Sequence, residues 1–239
     1  MSPSYQLLRV QDPADLARRA SELMAASIDI ALDQRDRAQI ALSGGSTPAE
    51  SYSRLALQHL PWDRVDVVLG DERWVAADDA SSNARMLRQT LLARGTPGAA
   101  ARFHAVPTVE TASPEDSAVA FADLVQSLCP GSPPIFDLMV LGLGDDGHTA
   151  SLFPGTEAVD EQARWTSIGR GKGLDRITLT APVLSAARQV VFLVSGAGKQ
   201  QALARLLDAS ESPARTPAKL VRPAKPITVL ADAQACAGL

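Results

Sequence analysis

The chain has 239 residues, 46% of them apolar, enough for a sizeable core in one large α/β domain or two small ones. A net charge of −4 and a pI near 5.4 go with no evident basic face, which weighs against a nucleic-acid partner. No apolar run approaches the ~20 residues of a membrane-spanning helix, and Met1-Ser2-Pro3-Ser4-Tyr5-Gln6 lacks the charged and apolar regions of a signal peptide. Cys129 and Cys236 lie far apart, show no metal-ligand spacing, and read as reduced thiols of a cytoplasmic protein.

Taken in chain order, the first predicted element is a helix. Asp12 is its N-cap, Pro13 its first residue, and helical spacing of Leu16, Ala20, Leu23 and Ala31 carries it to about Asp33. A strand over Ala38–Leu42 ends at Ser43-Gly44-Gly45. Thr47-Pro48-Ala49-Glu50 then fits a capping box, with Thr47 as N-cap, opening a helix to about Leu57. Val65–Leu69 is a second strand. Ser82 or Asn83 caps a helix running to Arg94, where Gly95 stops it, and Ser113 starts another that ends near Leu128. A third buried strand covers 136–141, and a short helix is expected to begin near His148. Strands follow at 176–180, Val190–Val194 and 227–230, with helices at 199–207 and 217–221. The polar, Gly-rich stretch 155–175 has no clear period and reads as a mobile flap. Alternating strands and helices call for a single α/β domain: an open, mostly parallel sheet with helices on both faces.

Three segments carry chemistry, and each follows a buried strand, so that one sheet edge would gather them. In the first, Gly44 and Gly45 let the backbone approach a ligand closely, Ser46 and Thr47 add hydroxyls, and the helix start offers free N–H groups to an anion. The same turn could equally be a tight connection whose Ser and Thr only cap the helix. In the second, Gly70-Asp71-Glu72-Arg73, Arg73 either stabilises an oxyanion or pairs with the neighbouring acids. The third is Gly142-Leu143-Gly144-Asp145-Asp146-Gly147-His148-Thr149. A helix N-terminus at His148 would favour a neutral imidazole able to take a proton, and Asp146 is the best candidate to orient it, with Asp145 as the spare. Lys199 opens a helix after a strand, where its ammonium could reach a phosphate, and Arg176 is a second candidate. Arg170 and Lys172 lie in the flap as solvated charges. His59 and His104 have no comparable company and read as structural. No zinc spacing or GxSxG context is present.

The chain resembles the 6-phosphogluconolactonases of the pentose phosphate pathway over nearly its full length. The resemblance rests on Leu42-Ser43-Gly44-Gly45-Ser46-Thr47-Pro48, on Gly70-Asp71-Glu72-Arg73 with Ser82-Asn83, on the long run from Gly142 through Ala150-Ser151-Leu152-Phe153-Pro154, and on Arg176-Ile177-Thr178-Leu179-Thr180. It implies the Rossmann-like α/β fold shared with glucosamine-6-phosphate deaminases and hydrolysis of 6-phospho-D-glucono-1,5-lactone without nucleotide, metal or other cofactor. It also implies His148 as general base with Asp146 as partner, Arg73 near the reacting centre, and Ser46, Thr47, Lys199 and Arg176 at phosphate-binding positions. The departure lies at Gly169-Arg170-Gly171-Lys172-Gly173, where relatives often carry prolines. A lone site within one domain requires no oligomer, and a monomer is expected. Two rivals share these elements. In the deaminases a Phe-Asn-Glu-Pro run after the histidine supplies a catalytic acid, whereas Ser151-Leu152-Phe153-Pro154-Gly155 has none and Glu157 is merely close. A non-catalytic sugar-phosphate sensor would need the phosphate loop but not the histidine, and usually a DNA-binding segment for which this chain leaves little room.

Overall fold

The computed structural model describes residues 4–171 and 173–239; Met1, Ser2, Pro3 and Lys172 lie outside the described residues. Strand β1 (Tyr5–Val10) is an addition to the predicted elements, since its mixed polar and apolar residues belong to a sheet edge. Helix α1 (Pro13–Gln34) begins as expected. Asp12 accepts from the Asp15 backbone N–H at 2.8 Å, and the Asp15 carboxylate accepts in return from Gln11 N–H at 3.2 Å. Its buried face runs through Leu16, Ala20, Met24, Ile28 and Ala31.

Strand β2 (Ala38–Leu42), helix α2 (Ser46–Leu55) and strands β3 (Val65–Leu69) and β4 (Asp71–Arg73) follow, then α3 (Asn83–Gln89), β5 (Arg102–Phe103) and α4 (Pro114–Leu128). The second half holds β6 (Leu138–Gly142), α5 (Glu157–Asp160), β7 (Thr166–Gly171), β8 (Leu174–Leu179), α6 (Ala181–Ala186), β9 (Val190–Val194), α7 (Gln200–Leu207) and β10 (Ile227–Asp232).

Seven strands form one parallel sheet in the order β1-β10-β9-β6-β2-β3-β5. All five residues of β3 and of β9 are buried, as a parallel sheet covered on both faces requires. Burying each Val, Leu or Ile contributes about 1.5–3 kcal/mol, so these largely apolar strands dominate the core. One polar insertion is neutralised: Asp66 in β3 is held by Arg37 at 2.6 Å and by His104 Nε2 at 2.8 Å. Burial pushes the Asp66 carboxyl up, but those two partners outweigh it and hold it below the usual range. His104 is therefore structural, as expected, and His59 is exposed. Both cysteines are free and buried, and burial raises the Cys129 thiol to about 12.

From β2 the chain steps to β3 and β5 on one side, and from β6 to β9 and β10 on the other. The carboxyl ends of β2 and β6 therefore flank a topological switch point, where an open α/β sheet leaves a crevice.

Several local expectations are corrected. Helix α2 starts at Ser46 with Gly45 as N-cap at φ +109°, so Thr47 lies inside the first turn and Glu50 pairs with Arg54 at 2.9 Å instead of closing a capping box. Only glycine takes that φ without strain, and it turns the strand into the helix earlier than Thr47 could. Helix α3 ends at Gln89, where Thr90 leaves helical dihedrals and Leu91 drops into the core. Residues 217–220 form a 3-10 turn.

The larger correction concerns 155–175. This stretch holds α5, β7 and the start of β8, and β4, β8 and β7 make a second, antiparallel sheet. Its glycines serve packing. A Cβ on Gly169 would lie 2.4 Å from the Ser151 carbonyl oxygen, and one on Gly171 would lie 2.6 Å from the Phe153 ring. These alternate residues share one face of β7 and let it press against the segment following His148. Arg170 is exposed, as expected, within 3.6 Å of both Glu115 and Asp175.

Candidate active site

A cavity of about 260 Å³ opens at the switch point. It is lined by Gly44, Gly45, Ser46 and Thr47 after β2, by Arg73 from β4, by His148 after β6, by Arg176 from β8 and by Lys199 after β9. Every predicted site residue except Asp146 thus faces one space, and Asp146 reaches it through the imidazole.

At one end the first turn of α2 presents the backbone N–H groups of Ser46 and Thr47 and the positive end of the helix dipole. Gly44 is required by a close approach: a Cβ there would lie 1.9 Å from Asn83 Oδ1. Asn83 is fixed in turn, its side-chain amide donating to the Asp71 carbonyl at 2.9 Å. Beneath it, the buried Glu72 carboxylate accepts from the backbone N–H groups of Arg73, Asn83 and Ala84 and from the Ser82 hydroxyl. Burial pushes the Glu72 carboxyl up against these four bonds.

At the other end the His148 loop is not a helix start. It is a turn closed by Gly144 N–H on the His148 carbonyl at 2.8 Å and by Gly147 N–H on the Gly144 carbonyl at 3.0 Å. Positive φ at Gly147 (+92°) and Ala150 (+47°) bars a continuous helix. The expected helix-dipole argument for a neutral ring therefore gives way to a side-chain one. His148 Nδ1 lies 2.5 Å from Asp146 Oδ1, which also accepts from the His148 backbone N–H at 3.0 Å. A carboxylate only accepts, so it holds the proton on Nδ1 and leaves Nε2 as the basic nitrogen. The other side of the imidazole meets Phe153, ring centroids 4.4 Å apart, and the Arg176 guanidinium carbon sits 5.3 Å from the centre of that same Phe153 ring.

Cations face the space between these ends. Arg73 and Arg176 are directly opposite each other on β4 and β8. Asp71 lies 3.8 Å from Arg176 and accepts from the Ser151 hydroxyl at 2.5 Å. Burial pulls the Arg176 guanidinium below its usual range, with Asp71 acting against it. Arg73 forms no pair with Asp71 or Glu72; it donates to the Ser81 carbonyl. Among the described residues, seven buried side-chain nitrogen or oxygen atoms have no hydrogen-bond partner, and Ser43 Oγ, Arg73 Nε and Arg176 Nε, all on this cavity, are three of them. Sequence reasoning overlooked Ser43, Asn83 and Ser195 as lining residues. Their position in or beside post-strand loops was the available signal. Among the described residues no group of three or more His, Cys, Asp or Glu side chains could hold a metal ion, and no helix is long and apolar enough to cross a membrane.

The His148 loop rests on a brace from the C-terminal part of the chain. Arg205 donates to the Asp145 carbonyl at 3.1 Å, Ala218 N–H to the Gly147 carbonyl at 3.0 Å, and a Cβ on Gly147 would lie 3.0 Å from the Thr216 Cα. Thr216 is tied to Glu211 at 3.1 Å, and the Arg215 guanidinium beside Glu211 lowers its carboxyl from 4.5 to about 2. A depressed folded-state value means stability present above pH 4.5 and lost as pH falls towards 2. Glu211→Gln is therefore expected to flatten the fall of the urea midpoint across that window. An unchanged slope would show that the pair contributes nothing in solution.

The pattern of the family described as glucosamine-6-phosphate isomerases/6-phosphogluconolactonase matches residues 11–230. Over 231 residues the chain is 41% identical to a protein named 6-phosphogluconolactonase from a Nostoc species, with 95% of each chain covered. It is also 41% identical over 223 residues to one of the same name from a Synechocystis species, with 92% of each covered. The crystal structure of a 6-phosphogluconolactonase from Shewanella baltica matches with a TM-score of 0.88 at 27% identity, covering 98% of this chain and 100% of that one. With both the sequence and the parallel-sheet architecture matched from end to end, the chain belongs to the glucosamine-6-phosphate isomerase/6-phosphogluconolactonase family.

Proposed function

We propose that this chain hydrolyses 6-phospho-D-glucono-1,5-lactone to 6-phosphogluconate, the lactone-opening step of the pentose phosphate pathway. One observation carries the reading. An imidazole with Nδ1 bound to a carboxylate shares a single cavity with Lys199, Arg176 and the amino end of α2. The phosphoryl group docks on the Gly45-Ser46-Thr47 turn with Lys199 and Arg176. The lactone C1 then faces His148. Nε2 takes a proton from water as the water oxygen bonds to C1, and Arg73, which lines the same cavity, stabilises the tetrahedral oxyanion. Protonated His148 returns the proton to the ring oxygen as the C1–O bond breaks, and the new carboxylic acid releases its own proton to water. Every group used comes from one copy of the chain.

The relation to aminosugar deaminases is decided by the acid such a reaction needs after the histidine. Glu157 is exposed and borders a different cavity, between α4 and β7. It is not placed to serve the His148 cleft. The test is acid release from freshly prepared phosphogluconolactone at neutral pH, followed faster than spontaneous hydrolysis. Ammonia release from glucosamine 6-phosphate, without lactone turnover, would overturn the reading. Lys199→Ala is expected to raise KM by about 10–100-fold, the worth of one hydrogen bond to a charged group, with kcat little changed.

A further inference from the structure

The loop that carries Lys199 is held from beneath by a carboxylate outside the cavity. Asp232, the last residue of β10, is fully buried. Its Oδ2 accepts from the Ser195 hydroxyl at 2.6 Å, both oxygens accept from Gly196 N–H at 3.1 Å, and Oδ1 accepts from Ala235 N–H at 2.8 Å. Gly196 is the point at which the chain leaves β9 at φ +94°, and its carbonyl accepts from Lys199 N–H at 3.0 Å to close the turn that presents the ammonium. A second tie, from the Gln200 side-chain amide to the Gln234 carbonyl at 2.9 Å, joins the start of α7 to the same C-terminal turn.

We propose that Asp232 is a positioning residue for Lys199: its carboxylate anchors the Ser195-Gly196 turn and so sets where the ammonium stands over the anion-binding end of the cleft. The alternative, that Asp232 only closes the C-terminal turn, accounts for the Ala235 bond. It does not account for the bonds to Ser195 and Gly196, which point at the other loop. The inference rests on the reading of Lys199 as a phosphate ligand.

The experiment is a double-mutant cycle with kcat and KM for phosphogluconolactone and the inhibition constant of inorganic phosphate as readouts. Asp232→Asn keeps the shape but replaces two anionic acceptors by one neutral acceptor and a donor. Losing the charge assistance of these bonds is expected to raise KM and weaken phosphate inhibition by about tenfold, with kcat within about twofold. Ser195→Ala, which leaves Asp232 and its bond to Ala235 intact, is expected to move the same two constants in the same direction. In a Lys199→Ala background Asp232→Asn is expected to change neither further. Equal effects of Asp232→Asn with and without Lys199, or a fall in kcat at constant KM, would overturn the proposal. An unchanged KM in Lys199→Ala alone is a distinct result that removes the phosphate reading and this inference with it.

Discussion

Replacing His148 by Ala is expected to lower kcat by about 10²–10⁴-fold, the usual contribution of a positioned general base. KM should change little, because the Gly45-Ser46-Thr47 turn, Arg176 of β8 and Lys199, the groups proposed to hold the phosphate, belong to other segments. The fold should also survive, since the loop is closed by backbone bonds among Gly144, Gly147 and His148 that do not involve the ring. What the variant loses is Nε2, the one nitrogen left basic once Asp146 holds the proton on Nδ1. The measurement is steady-state turnover at neutral pH, with the rate of uncatalysed lactone opening subtracted. Turnover within a few-fold of the unaltered protein would remove the imidazole from the chemistry.

Gly144→Ala should come close to that loss by a different route. A Cβ at position 144 would lie 2.0 Å from His148 Nδ1 and 2.6 Å from Asp146 Oδ1. Both are side-chain atoms, so the ring and the carboxylate swing away and the backbone stays. Misplacing a catalytic group by about 1 Å costs on the order of 10²-fold. The expected result is a kcat reduced by about that factor, a KM near normal and a thermal midpoint little changed. Full activity in Gly144→Ala would show that the 2.5 Å contact between His148 and Asp146 does not set the rate. A large drop in thermal midpoint would mean that the clash is borne by the backbone instead.

The two variants also separate what is legible in the residue string from what is not. Strands β2, β3 and β9 match their expected limits, because a parallel strand covered on both faces is written as a short, mostly apolar run, interrupted only by Gln39 in β2 and Asp66 in β3. The starts of α1 and α4 were equally plain, each with a capping side chain at Asp12 or Ser113 and a proline at its first position. Cleft residues were recognisable for a related reason: Gly44, Gly45, Ser46, Thr47, His148 and Lys199 sit beyond the ends of parallel strands, and topology sends such loops to one edge, while Arg73 follows β3 closely in the short strand β4.

Other features depend on contacts between segments far apart in the chain. The stretch 155–175 has no hydrophobic period because Gly169 and Gly171 were chosen by what presses on them, the Ser151 carbonyl and the Phe153 ring, and not by the strand they occupy. The turn at His148 departs from a helix because Gly147 and Ala150 take positive φ, at positions packed against Thr216 and within the cleft wall. Asp71, Glu72 and Asp232 look like ordinary loop acids in the chain, and only the folded arrangement buries them as acceptors for Ser151, Asn83 and Gly196. Local propensity and strand burial are encoded over a handful of adjacent residues, so a single sequence displays them. A buried carboxylate's role is set by the donors that tertiary packing brings to it from far along the chain, 80 residues away in the case of Ser151 and Asp71, and no local pattern records that meeting.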